Sequence, residues 1–95
     1  MTEAREILVD RMAENLPVLR KKLKLSQDGL AGIIGSSRYT VMLIETKKRK
    51  MAWSTYMALV LLFEKNPDTS MLLHAFNIVT DELDAYLRRD PGVNL

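Results

Sequence analysis

Residues 36–50, SSRYTVMLIETKKRK, place polar and basic side chains on both sides of a short apolar helix pattern. Lysine and arginine can neutralise the phosphates of a nucleic acid, and an arginine guanidinium can also donate two hydrogen bonds to one guanine. The ordinary alternative is an amphipathic helix that ends in a solvated basic loop. The segment therefore predicts either a surface that faces a polyanion or a plain helix end.

Side chains that could perform catalysis or hold a metal are sparse. The chain has no cysteine, and its one histidine, His74, has no second histidine to pair with. Asp81, Glu82 and Asp84 share one predicted helix with no basic or nucleophilic partner, so they predict a solvated acidic face. We therefore expect no catalytic residue, no metal and no cofactor, and we do not expect an enzyme.

Charge is divided unevenly along the chain. Residues 1–52 hold eleven Lys and Arg against six Asp and Glu, and residues 53–95 hold three against six. Such a basic half favours a nucleic acid or a membrane surface as a partner. The longest apolar run, residues 57–63, is far shorter than the roughly 20 residues of a membrane helix, and the charged N-terminus has no signal-peptide pattern. We expect a soluble, cytoplasmic protein without membrane contact.

Apolar residues recur at spacings of three and four along nearly the whole chain. This pattern predicts an all-α fold, a compact bundle of five to six short helices in a single domain, 1–95. A first apolar stripe runs from about residue 3 to residue 22, and Pro17 predicts a break near Asn15, where either Asn15 caps a second helix or the helix kinks. The members of the stripe are Ile7, Leu8, Met12, Leu16, Leu19 and Leu23.

Particular residues mark the ends of the next helices. Ser26 is expected to cap a second helix that ends at Gly35, and Ser36 or Ser37 is expected to cap a third. A fourth helix contains residues 56–63, which are almost all apolar. That helix must be covered on nearly all sides.

A last helix is expected at 69–89, capped by Thr69 or Ser70. Its apolar residues are separated by 4, 3, 4 and 3 positions, the seam spacing of two helices that pack side by side. The seam could join two copies of the chain in a homodimer, or it could dock on the fourth helix of the same chain. The seam residues are Leu72, Phe76, Val79, Leu83 and Tyr86.

The segment LRKKLKLSQDGLAGIIGSSRYTVMLIETKKRK, residues 19–50, resembles the helix-turn-helix of the Cro and phage-repressor-type (XRE-like) transcriptional regulators. The resemblance implies a lambda-repressor-like DNA-binding domain with its core at 16–64 and its helix-turn-helix at 27–46. Further helices would pack around it at both ends of the chain. The matching residues are Ser26, Gln27, Leu30, Ala31, Gly35, Ser37, Arg38, Val41, Ile44 and Glu45.

Roles for individual residues follow from this resemblance. In such domains the start of the third helix enters the major groove of DNA, and neighbouring residues bind phosphates. Arg20 and Glu45 occupy the positions of a structural ion pair. The implied base-facing residues are Ser37, Arg38, Tyr39, Met42 and Leu43. The implied phosphate-binding residues are Gln27, Thr40, Lys47, Lys48 and Arg49.

Met42 and Leu43 depart from the pattern, because relatives often carry polar or basic side chains at these positions. Leu43 cannot form a hydrogen bond with a base, although an apolar side chain can contact a thymine methyl group. Hydrogen-bonded base recognition is therefore left to few residues.

The resemblance implies a sequence-specific regulator that binds double-stranded DNA, expected to be a repressor acting as a homodimer on a palindromic operator. Two other classes remain open. The chain could be the antitoxin of a toxin-antitoxin pair, which would also hold a second small protein. It could instead be a protein-interaction module without DNA binding, for which the apolar Met42 and Leu43 are suited.

Overall fold

The structure is a computed structural model that describes residues 3–93 and 95. These residues form six α-helices joined by turns and short loops. They are α1 Glu3–Lys22, α2 Gln27–Ile34, α3 Arg38–Glu45, α4 Trp53–Lys65, α5 Pro67–Ala75 and α6 Asp81–Leu87. No strand occurs among these residues, so the predicted all-α class is confirmed. Met1, Thr2 and Asn94, which belong to the predicted domain 1–95, lie outside the described residues.

Every helix contributes to a hydrophobic core. The Cα radius of gyration is 13.0 Å, which agrees with the value of about 13 Å expected for a folded domain of this size. Leu8 is buried as predicted, but Ile7 is 42% exposed and Val9 is buried in its place. Representative core side chains, one from each helix in order, are Met12, Leu30, Val41, Tyr56, Leu73 and Leu83. Within the described part of the chain, no helix has the length and apolar character needed to cross a membrane.

The helix α1 continues through Pro17, so the predicted break with a second helix capped by Asn15 is wrong. A proline inside a helix costs about 3 kcal/mol, because it lacks an N–H group and its ring crowds the preceding turn. Leu16 and Leu19 flank the proline and are at most 1% exposed. Full burial of a leucine side chain contributes about 1.5–3 kcal/mol, so these two residues offset the cost. The Asn15 amide donates to the Arg11 carbonyl oxygen at 2.8 Å inside the helix.

The C-terminal region forms two helices, so the predicted single helix at 69–89 is also wrong. Asn66 precedes α5, and the buried Thr69 hydroxyl donates to the Phe63 carbonyl oxygen at 2.7 Å instead of capping a helix. Between the helices the chain turns at Asn77, which has a φ of 56°. Thr80 then caps α6 by accepting a hydrogen bond from the backbone of the third helical residue. The bend places residues 78 and 79 in the core.

The predicted seam residues therefore do not lie along one straight helix. Val79 and Leu83 are 7% and 0% exposed and belong to the core of their own chain. Leu72, Phe76 and Tyr86 are partly buried against the same core. The chain thus uses these residues for its own packing, and the homodimer remains a prediction.

The helix α4 is buried on one side through residues such as Phe63, but it is not covered on nearly all sides. Leu61 is 58% exposed, and it lines a surface groove together with Ile33 of α2, which is 55% exposed. The prediction that this helix is covered on nearly all sides is therefore wrong for the single chain.

Tyr56 connects α4 to the bend between α5 and α6. Its side chain is fully buried, its ring stacks on Trp53 with centroids 4.6 Å apart, and its hydroxyl donates to the Ile78 carbonyl oxygen. Burial, and secondly the negative charge of Asp84, raises the pKa of Tyr56 above its ordinary value. The hydroxyl therefore stays protonated at neutral pH and remains a hydrogen-bond donor.

We expect Tyr56→Phe to lower the free energy of unfolding by about 1–3 kcal/mol, because it leaves a buried carbonyl oxygen without its donor. Urea unfolding followed by circular dichroism measures the change. Tyr39→Phe is the matched control, since Tyr39 is 62% exposed. Equal effects of the two substitutions would contradict the structural role of the buried hydroxyl.

Candidate nucleic-acid interface

The helices α2 and α3 are joined by a turn of three residues, 35–37, and their ends are fixed by caps at the predicted positions. The Ser26 hydroxyl accepts a hydrogen bond from the Gly29 N–H at 2.9 Å and opens α2. Gly35 ends α2 with a φ of 71°, in the left-handed region that glycine adopts readily. The Ser37 hydroxyl accepts from the Thr40 N–H at 3.1 Å and opens α3. This arrangement of helix, short turn and helix is the one predicted from the sequence.

One side of this pair of helices packs into the core. Leu30 and Ala31 of α2 and Val41 and Ile44 of α3 are each at most 3% exposed. Because residues 41 and 44 are one helical turn apart, they face the same side of α3. The opposite side of α3 is therefore directed away from the core.

Arg20 of α1 binds the last turn of α3 through a bidentate ion pair with Glu45. Its Nε lies 2.8 Å from one carboxylate oxygen and its Nη2 lies 3.0 Å from the other. Arg20 Nη1 also donates to the Leu25 carbonyl oxygen at 3.0 Å, and Gln27 Nε2 donates to Glu45 at 3.0 Å. The Arg20 and Glu45 side chains are only 12% and 6% exposed. The pair thus joins α1, the start of α2 and the end of α3.

The protonation of Glu45 follows from these contacts. Burial by itself would raise the pKa of the Glu45 carboxyl group. Hydrogen bonds from Arg20 and Gln27, with the positive charges of Arg20 and Lys21, outweigh burial and hold this pKa below its usual value. The bond to Glu45 likewise raises the pKa of Arg20. Both groups are charged at neutral pH, so the pair is ionic.

The start of α3 is open to solvent. Ser37, Arg38 and Tyr39 are exposed, and Met42 and Leu43 are half-buried. Across residues 3–93 and 95, Arg38 has no hydrogen bond or ion pair, so its guanidinium is available to a ligand. Four of the five predicted base-facing residues therefore lie on α3 and the fifth, Ser37, is its N-cap.

Hydroxyl groups hold Arg49 against the first turn of α3. The Ser37 hydroxyl donates to Thr40 Oγ1 at 3.0 Å, and Arg49 Nη1 donates to the same oxygen at 3.0 Å. The contact brings together two predicted phosphate-binding residues that are nine positions apart. The sequence did not predict this network. The Ser-x-x-Thr spacing could have indicated the contact between Ser37 and Thr40, but not the one between Thr40 and Arg49.

The loop after α3 presents the predicted basic residues at the helix end. Lys47 has a φ of 60°, and the N–H groups of Lys48 and Arg49 both donate to the Leu43 carbonyl oxygen. All residues from 46 to 50 are exposed. Lys50 lies 3.5 Å from Asp10 in a solvent-exposed pair, which contributes little to stability. The loop is thus a compact basic surface next to α3.

Gln27 has a contact inside the domain in addition to its predicted phosphate-binding role, which stays a prediction. Its side-chain N–H group donates to Glu45. The structure therefore places Gln27 in the support of α3, together with Arg20.

A second group of polar side chains lies where α5 and α6 meet. His74 Nε2 is 3.8 Å from an Asp84 carboxylate oxygen, so the expectation that Asp81, Glu82 and Asp84 have no basic partner is wrong for Asp84. Donor atoms of His74, Asp81 and Asp84 all lie within 4.8 Å of one another, a spacing that could hold a cation. The bend between α5 and α6 creates this proximity, which linear spacing does not reveal.

No protein-family model matches the chain, and neither does any curated protein or solved structure. The relation to the Cro and phage-repressor-type regulators therefore remains a prediction. It depends on the residues of the α2-turn-α3 segment and on their geometry.

We expect Glu45→Gln to lower the free energy of unfolding at neutral pH by about 3 kcal/mol, because it leaves the nearly buried Arg20 charge unpaired. Since folding lowers the pKa of Glu45, the ionised carboxylate stabilises the protein above its unfolded pKa of about 4.3. That contribution is lost as the pH falls through the lower pKa of the folded state. The difference between wild type and variant should therefore be constant above about pH 5 and shrink below about pH 4.

Urea unfolding of both proteins across this pH range measures the difference. Glu64→Gln on α4 is the control, because Glu64 is exposed and surface substitutions usually change stability by less than about 0.5 kcal/mol. A difference that is the same in acid and at neutral pH would show that the ion pair is not its source.

Proposed function

We propose that this protein is a sequence-specific double-stranded DNA-binding transcriptional regulator of the Cro and phage-repressor type. The observation that carries the proposal is the placement of α3. Its Val41 and Ile44 side is packed, its last turn is tied to α1, and its first turn exposes Arg38 and Tyr39. A helix held in this way can lie in the major groove of DNA with its N-terminal residues against base edges.

The charges around α3 support the same proposal. Lys47, Lys48 and Arg49 are exposed beside the helix, and Arg49 is already directed by Thr40 toward its first turn. These side chains would bind phosphates on the rim of the groove, which fixes the position of the domain without reading sequence. The acidic half of the chain, with α6, lies outside this segment.

The proposed mode of action is repression by a homodimer that covers an operator. A two-fold dimer would bind two half-sites about one helical turn, roughly 34 Å, apart. The groove with the exposed Leu61 and Ile33 is consistent with a chain that associates with a partner, because large exposed apolar side chains often mark interaction surfaces. Duplexes enriched from a random pool should then contain inverted repeats.

We expect Arg38→Ala to relax sequence preference at one guanine of each half-site. A bidentate arginine–guanine contact supplies about 1–3 kcal/mol of discrimination between bases. Fluorescence anisotropy on enriched duplexes and on their single-base variants measures this loss. Arg88→Ala, at the exposed end of α6, is the matched control and should retain the preference. Unchanged preference in Arg38→Ala would contradict base reading by this residue.

We expect Lys48→Ala to weaken the binding of every duplex by a similar factor, because a phosphate contact carries no sequence information. The slope of log affinity against log salt should fall by about one. Anisotropy titrations at several salt concentrations measure it, and Lys65→Ala at the exposed end of α4 is the control. If the wild type binds no random duplex at low salt, DNA binding is excluded and the protein-interaction module becomes the better proposal.

A further inference from the structure

The polar side chains in and beside α3 are largely used within the protein. Ser37 donates its hydroxyl hydrogen to Thr40, and Thr40 accepts from Arg49. Glu45 is bound by Arg20, as described above. The Thr46 hydroxyl donates to the backbone carbonyl oxygens of residues 42 and 43, at 2.9 and 3.3 Å. These groups stabilise the helix and its ends, so few polar groups remain to read base edges.

Apolar side chains make up the rest of the exposed side of α3. Met42 lies one helical turn after Arg38 and Tyr39, and Leu43 follows it, so the four residues form one continuous surface. Met42 and Leu43 are half-buried. Among the described residues, they belong neither to the core nor to the partly buried side chains that pack against the core. Two large apolar side chains are therefore placed on the DNA-facing side without a packing role in the core.

We infer that Met42 and Leu43 recognise the C5 methyl groups of thymines in the major groove, an inference that depends on the DNA-binding function proposed above. Among the groups that base pairs present in the major groove, the thymine methyl is the apolar one, and the others are hydrogen-bond donors or acceptors. Burying a methyl group against an apolar side chain is favourable because both surfaces leave water. Arg38 would read one base pair by hydrogen bonds, while Met42 and Leu43 read its neighbours by apolar contact.

Methionine suits this role because its unbranched, flexible side chain adapts to a surface. Leucine adds a more rigid apolar contact one position further along the helix. The operator half-site should therefore contain one or two invariant thymines next to the guanine read by Arg38.

Uracil substitution tests the inference, because uracil pairs as thymine does and differs only by the missing methyl group. Duplexes are first enriched from a random pool, and each thymine of the half-site is then replaced by uracil, one at a time. We expect affinity to fall about fourfold for each thymine that Met42 or Leu43 contacts, the effect of about one buried carbon. Thymines outside the enriched half-site, replaced in the same way, should have no effect.

Protein variants assign the effect to the two residues. At the thymine that Met42 contacts, Met42→Ala should bind the thymine and uracil duplexes with equal affinity. At the thymine that Leu43 contacts, Leu43→Ala should show the same loss of preference. Circular dichroism shows whether each variant is folded, and the uracil series on the wild-type protein needs no variant. A preference for thymine that persists unchanged in both folded variants would overturn the inference, because another group would then be reading the methyl.

The remaining outcomes separate this inference from the proposed function. Sequence-specific binding with equal affinity for thymine and uracil at every position would overturn methyl recognition and leave the DNA-binding proposal intact. Enriched half-sites that lack thymine would also overturn methyl recognition and leave the DNA-binding proposal intact. Failure to enrich any duplex would overturn the DNA-binding proposal, and methyl recognition with it.

Discussion

The two-pronged contact between Arg20 and Glu45 is the constraint on which the arrangement of the helices depends. It joins residues 25 positions apart and brings the last turn of α3 against α1. Gln27 binds the same carboxylate, so the start of α2 is fixed by the same centre. A nearly buried carboxylate requires such donors, because an unpaired charge in this place would be strongly unfavourable. Together with the burial of Val41 and Ile44, the pair therefore fixes which side of α3 faces outward.

Short helices make this constraint necessary. The helices α2 and α3 have eight residues each, well below the about 12–15 residues that an isolated helix needs to be even marginally stable in water. The caps at Ser26, Gly35 and Ser37 satisfy backbone groups at their ends, and burial of residues such as Leu30 and Val41 supplies the packing. Local signals thus define the ends of the helices, whereas tertiary contacts keep them folded.

This division explains what the sequence could predict. The three caps and the Arg20–Glu45 positions could be located, because each depends on a local pattern or on a resemblance. The continuity of α1 through Pro17 and the bend between α5 and α6 could not, because both depend on burial against distant parts of the chain. The bond between Thr40 and Arg49 likewise needs the shape of a loop. Local patterns therefore located most of the candidate site, and long-range packing decided the rest of the fold.

Thr40 gives Arg49 a property that its neighbours Lys47 and Lys48 lack. Fixing a long flexible side chain on association costs about 0.5–1.5 kcal/mol of lost rotamer freedom. Because the Arg49 guanidinium is already held at 3.0 Å from the Thr40 hydroxyl oxygen, much of that entropy is lost during folding. An anion that approaches this corner therefore meets one cation already positioned by a hydrogen bond, beside two lysines that have no such bond among the described residues. The first contact can then be made by the positioned guanidinium, and the lysine side chains, which have several rotatable bonds, follow the spacing that the anion presents.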